Sequence, residues 1–136
     1  DVFKTGLMDG VFNFGAGTSD VYKIALYTNQ ASLNENTTGY TSVGEVVGTG
    51  YTATGNVLQV SVNPTNSNGT TYLSFSNATW PSSTFTARGA LIYKADGATN
   101  PAVCVLDFGS DKTTTNGTFV VQFPASTNTS AIIRIV

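Results

Sequence analysis

The feature that most constrains this chain is the alternation of apolar and polar residues between Trp80 and Phe123, WPSSTFTARGALIYKADGATNPAVCVLDFGSDKTTTNGTFVVQF. Phe85, Ala87, Leu91 and Tyr93 share one parity, Ala102 to Phe108 is apolar on both faces, and Phe119, Val121 and Phe123 alternate again. A two-residue period marks a pleated strand with one buried face, and a short unbroken apolar run marks a strand buried on both. The pattern predicts three strands separated by two polar turns, the second of them at Asp107 to Phe119.

The same signal recurs outside this stretch. Val21 to Tyr27 places Tyr22, Ile24 and Leu26 on one face, Val57 to Val62 places Leu58, Val60 and Val62 on one side, and Tyr72 to Ser76 does so with Leu73 and Phe75. Pro64 to Gly69 reads as the turn of a hairpin, and the terminal AIIRIV as a last strand. About seven strands at these intervals suit an all-β, two-sheet β-sandwich, jelly-roll-like or Ig-like. Between the first two strands, Thr28 to Gly55 is rich in Asn, Thr and Gly, with Leu33, Tyr40, Val43, Val46, Val47 and Tyr51 as apolar anchors. It reads as a long ordered loop with one short strand around Gly44 to Val47, because anchors of this kind have to be buried somewhere.

The N-terminus departs from the two-residue period. Phe3, Leu7, Val11 and Phe14 recur at spacings of four, four and three, one face of a helix over Val2 to Phe12, with Gly15 and Gly17 as the stop. Gly6 and Gly10 each cost about 1 kcal/mol relative to alanine inside a helix, so this stripe has to dock, on its own domain or on a neighbouring subunit. A chain of 136 residues has room for one domain, divided here into an arm at 1–17 and a sandwich at 18–136.

Charge narrows the function classes. Only 10% of residues are charged, against about 25% in a typical soluble domain, and the deficit is filled by 22 Thr, 12 Asn and 12 Ser. That mixture is typical of extracellular or virion β-proteins. The basic residues Lys4, Lys23, Arg88, Lys94, Lys112 and Arg134 are scattered and the net charge is −2, so no nucleic-acid partner is expected. No apolar run has the length of a membrane span, and no membrane partner is expected either. Weak self-repulsion favours association, which points to a homo-oligomer or a component of a larger assembly.

The absence of histidine removes the commonest general base and metal ligand. No enzymatic activity and no cofactor is expected. Asp107 and Asp111 read as turn residues at a strand exit, and the glycines of GEVVGTG at Gly44 to Gly50 as positions needing positive φ or close backbone approach. Cys104, the only cysteine, reads as a buried small hydrophobe. Trp80 is expected partly buried at the sandwich rim, the alternative being a platform for a sugar. Arg88 beside Gly89 reads equally as a solvated edge residue or an inter-subunit contact.

The segments FKTGLMDGVFNF, VYKIALYT, GEVVGTGYTATGNVL, WPSSTFTARGALIY and VCVLDFGSDKTTTNGTFVVQFP together resemble small structural proteins encoded by tailed bacteriophages, over nearly the whole chain. The resemblance implies a virion protein without enzymatic activity, on the capsid surface or the tail. A compact, weakly charged β-domain suits a capsid decoration or cement protein bound to the major capsid protein or other virion proteins. Its contacts would come from Phe3, Leu7, Val11 and Phe14 on the helix, Tyr40 and Tyr51 in the loop, and Arg88 at a strand edge. A tail, neck or fibre component would use the same fold. A carbohydrate-binding module would instead use Trp80, Tyr40, Tyr51 or Tyr72.

Overall fold

The alternating segments form strands in the computed structural model, which describes residues 1–136. The order is α1 (Val2–Met8), β1 (Tyr22–Tyr27), β2 (Asn56–Leu58), β3 (Val60–Ser67), β4 (Thr70–Phe75), β5 (Ala78–Lys94), β6 (Ala102–Val121) and β7 (Ile133–Ile135). They make two antiparallel sheets, one of four strands in the order β2-β1-β5-β6 and one of three in the order β3-β4-β7. The expected all-β, two-sheet architecture with a short N-terminal helix is the one found.

The alternation in β1 assigns its faces. Ile24 and Leu26 register with Ile92 and Ala90 and point into a core shared with Leu73 and Phe75 of the second sheet. Ala25 and Tyr27, of opposite parity, are equally buried on the reverse face with Leu91 and Tyr93, under Ala31, Leu33 and Tyr40 of the long loop. The four-stranded sheet is therefore covered twice, by a sheet on one face and by a loop on the other. Trp80 lies in the first of these cores at 1% exposure, stacked near Tyr51 and edge-on to Phe119. It is a central core residue, neither a rim residue nor a sugar platform.

The helix is shorter than its apolar spacing predicts. Asp1 caps it by accepting hydrogen bonds from the Phe3 and Lys4 N–H groups. At the other end Gly10, at φ +72°, takes the left-handed position of a Schellman motif. Its N–H donates to Leu7 O, and that of Val11 donates to Gly6 O. The chain then runs back, with Phe12 and Phe14 buried and Asn13 exposed between them. Phe3 meets Phe12 at 5.2 Å and Phe14 stacks on Tyr22 at 4.4 Å. Lys94 secures the arm, its Nζ lying 3.0 Å from Asp20 Oδ1 and donating to Val11 O at 2.6 Å. The helix and arm dock on their own domain.

Three other departures concern strand limits. The strand expected at Val57 to Val62 is two strands in different sheets, with the switch at Gln59, whose carbonyl accepts the Ser76 N–H. The predicted Pro64 to Gly69 turn contracts to Asn68 and Gly69, both at positive φ. Pro64 fits within β3 because that strand is an edge with register shifts around it. The expected turn at Asp107 to Phe119 is a bulge inside β6: the ladder with β5 steps from Gly89↔Asp107 to Ala87↔Lys112. Asp107 accepts the Gly109 N–H at 2.8 Å, so its turn role holds locally while the strand continues. That bond and the neighbouring Arg88 hold the Asp107 carboxyl below its usual range.

Candidate functional site

Loop 28–55 is the largest stretch without strand, and it is held down along its length. The Thr28 N–H donates to Gly44 O, that of Val46 to Leu26 O and that of Tyr40 to Asn100 O. Gly39 bridges Pro101 and Thr49 bridges Thr84, while the short strand expected at Gly44 to Val47 reduces to one bridge, Tyr27↔Glu45. β2 covers β1 only from Tyr22 to Ile24. Segment 44–51 occupies the rest of that edge, which satisfies backbone groups that a buried strand cannot leave unpaired. The loop leaves through Gly55, at φ +77°, where a Cβ would fall 1.9 Å from Ile24 O. Only glycine passes there. Gly44, Gly48 and Gly50 likewise press against Ala31, Thr84 and Ser83, as their spacing in GEVVGTG predicts.

The centre of this arrangement is Glu45, a buried carboxylate at 9% exposure. Its Oε2 accepts the Tyr40 hydroxyl at 2.6 Å, and its Oε1 accepts the Tyr51 hydroxyl at 2.7 Å and the Thr54 N–H at 2.8 Å. The Tyr51 oxygen in turn accepts the Leu26 N–H at 2.9 Å, which carries the network into β1. Two more phenols tie the same loop: Tyr27 donates to Thr41 O and Tyr93 to Thr54 O, each at 2.7 Å. A buried carboxylate survives only with its oxygens hydrogen-bonded, and here three donors do so. Burial first, then the bond to Glu45, holds the Tyr40 and Tyr51 phenols protonated far above their ordinary 10.0. Burial also raises the Tyr27 and Tyr93 phenols above it.

This placement decides which predicted contact residues are available to a partner. Phe14 is 5% exposed and belongs to the core, so it makes no external contact. Phe3 and Leu7 are half-buried against the same core. Tyr40 and Tyr51 are half-buried with their hydroxyls engaged, Tyr40 also stacking on Tyr93 at 5.1 Å. Their hydroxyls are therefore taken up within the domain. Val11 keeps 38% of its surface, and Arg88 is 41% exposed and 3.5 Å from Asp107.

Two of the apolar anchors expected to be buried in the loop are not. Val43 at 71% and Val47 at 95% exposure stand on either side of Glu45 and Val46, which point inward. The only available signal was Glu45 itself, a lone charge beside two valines in a chain with few charges. No family model matches the chain, and no curated protein and no solved structure matches it.

Proposed function

We propose that this chain is a non-enzymatic virion structural protein of a tailed bacteriophage, a decoration or cement protein that binds the assembled head through the outer surface of loop 28–55. The observation that carries the reading is the Glu45 anchor, which fixes an otherwise irregular loop and turns Val43 and Val47 outward on it. Such a platform binds by shape, since its ordering cost is met when the domain folds and not when the partner arrives. Burying each valine on a capsid surface contributes about 2 kcal/mol. A low-charge surface adds little repulsion between neighbouring copies on a lattice. Stabilisation of the head then follows from mass action, because a ligand that binds the assembled shell and not its free subunits shifts the equilibrium toward the shell.

The likeness of the quoted segments to phage structural proteins supports the same reading. Of the aromatics a carbohydrate-binding module would use, Trp80 is buried and the Tyr40 and Tyr51 hydroxyls are engaged, which leaves that alternative Tyr72 alone. The test is the stoichiometry of the 14.2 kDa protein against the major capsid protein in purified virions, with a V43D/V47D variant alongside. A copy number that is a simple fraction of the capsid subunits, lost in a variant that remains folded, is expected. A handful of copies per particle would place the protein in the tail, neck or fibre, and its absence from particles would end the virion reading.

A further inference from the structure

Two of the twelve asparagines precede a glycine, Asn68 before Gly69 and Asn116 before Gly117. An asparagine so placed has its side-chain amide carbon within one residue of a backbone nitrogen that no Cβ shields. Joining the two in a five-membered ring requires the backbone to leave its resting conformation, so the surroundings of each pair decide whether the reaction runs in the folded protein. Both asparagines are exposed and both take positive φ, +51° at Asn68 and +47° at Asn116. What separates them is what holds them.

Asn68 and Gly69 form the two-residue tip of the β3–β4 hairpin, closed by the Ser67↔Thr70 pair, with the positive φ at both positions that such a turn needs. No hydrogen bond holds the Asn68 side chain or the Gly69 N–H, and a Cβ at Gly69 would have nothing within 4 Å. β3 is an edge strand whose register with β4 already shifts twice, so the tip can open without disturbing the core. Asn116 is clamped inside β6. Its N–H donates to Thr84 Oγ1 at 3.0 Å and its Oδ1 accepts the Thr84 hydroxyl at 3.5 Å. Gly117 pairs with the fully buried Ser83, whose hydroxyl donates to Gly117 O at 3.1 Å. Moving Asn116 means opening the β5–β6 ladder around it.

We infer that Asn68 is a site of spontaneous deamidation and isomerisation in the folded protein, and that Asn116 is protected from both. The Gly69 nitrogen attacks Asn68 Cγ. The new N–Cγ bond closes a succinimide, the Cγ–Nδ2 bond breaks, and Nδ2 leaves as ammonia with the proton lost from the Gly69 nitrogen. Water then opens the ring. Addition at Cγ restores the peptide and leaves aspartate; addition at the Asn68 carbonyl carbon leaves isoaspartate, with the main chain routed through Cγ. Either product adds a negative charge to a chain whose net charge is −2. Isoaspartate also lengthens a two-residue connection by one methylene, and the register of a hairpin is set by the length of its turn, so the Ser67↔Thr70 pairing is lost. The reaction needs only this chain and water, and it is independent of the lattice reading.

The test is to age the full chain in mildly alkaline buffer, folded and in guanidinium chloride, and to follow both asparagines by mass spectrometry. Tryptic cleavage puts Asn68 in Ile24–Arg88 and Asn116 in Thr113–Arg134, and fragmentation localises the change within each peptide. Unfolded, the two should convert at similar rates, since only the Asn-Gly sequence then acts. Folded, Asn68 should convert at least about tenfold faster than Asn116, because its local opening is the cheaper one. The isoaspartate form should lose amide hydrogen-exchange protection in β3 and β4 and keep it in the β5–β6 ladder. Asn68→Asp, which adds the charge without the methylene, should keep both. A folded-state ratio no greater than the unfolded one, an Asn68 that survives in the folded protein while the unfolded chain reacts, or an Asn68→Asp variant as disturbed as the isoaspartate form would each overturn the proposal.

Discussion

Replacing Glu45 should unfasten the loop in a graded way that follows from its three bonds. Glu45→Ala leaves the Tyr40 and Tyr51 hydroxyls and the Thr54 N–H without their acceptor. A hydrogen bond to a charged group contributes about 1.5–3 kcal/mol, which sets an upper bound near 9 kcal/mol for three. Both tyrosines are only half-buried, so water replaces part of the loss and the expected cost is about 3 kcal/mol. Glu45→Gln keeps the shape and one carbonyl oxygen, which can still accept from Tyr51 and Thr54. Its amide N–H₂ can donate to a reoriented Tyr40 hydroxyl, and only the charge assistance is lost, about 1 kcal/mol. Trp80, the only tryptophan and fully buried, reports unfolding in urea. With a slope of about 1.5 kcal/mol/M the midpoints should fall by ~2 M for alanine and ~0.7 M for glutamine. Hydrogen exchange should show the Thr28 and Val46 amides losing protection before those in the β5–β6 ladder. If alanine cost no more than about 0.5 kcal/mol, or if glutamine were as damaging as alanine, the loop would not be held by the carboxylate.

Other consequences are independent of that network or extend it. Tyr22, Tyr27, Tyr40, Tyr51 and Tyr93 all have phenols raised above the ordinary 10.0 by burial. Above that pH the unfolded chain releases protons that the folded one retains, so their contribution is complete below pH 10 and is lost as pH rises beyond it. Absorbance at the tyrosinate band should therefore rise together with unfolding, and early titration of these five in a folded protein would contradict their burial. Gly55→Ala should cost about 4 kcal/mol or more, or prevent folding, because the Cβ meets Ile24 O in a left-handed backbone; a midpoint within error of the parent would refute the close approach. Burial pushes the Cys104 thiol up to about 12, so a thiol reagent at pH 8 should label it slowly until urea is added. Fast labelling of the native protein would show the sulfur to be accessible.

How much of this was legible beforehand depends on what alternation reports. Parity tells which face a residue points to, and it was right along β1 and β4; along β5 it failed, because the irregularity between Ala87 and Gly89 puts Phe85 and Ala87 in one core and Leu91 and Tyr93, of the same parity, in the other. It does not tell which strand lies alongside. Val57 to Val62 keeps one parity across Gln59, yet the backbone changes sheets there. Conversely, Asp107 to Phe119 has turn residues at Asp107, Gly109 and Gly117, yet the strand continues, because a bulge uses turn chemistry without reversing the chain. One predicted strand divided and two merged, so the expected number of seven survived while two of the boundaries did not. The helix failed for a related reason: the spacing of Phe3, Leu7, Val11 and Phe14 suits a helix, but Gly10 needed only one left-handed residue to end it. Phe12, off the expected stripe, then became a core residue.

The loop was the least legible part, for a reason rooted in contact distance. Its order was visible in the apolar anchors, but anchors do not reveal their partners. Glu45 bonds to Tyr40, Tyr51 and Thr54, all close in sequence, and this cluster closes onto Leu26 and Tyr27 only after β1 is built into a sheet. A glutamate in isolation reads as surface, and tyrosines among Asn and Thr read as contacts for a partner. Folding inverts both: burial needs an acceptor for the phenols, the carboxylate needs donors, and each solves the other's problem. The residues then left exposed are the plain valines on either side, Val43 and Val47, which have no polar atoms to engage and nothing in the chain to cover them. In a polypeptide this poor in charge, the polar side chains with the most distinctive chemistry are used to build the loop, and the side chains turned outward are those with the least.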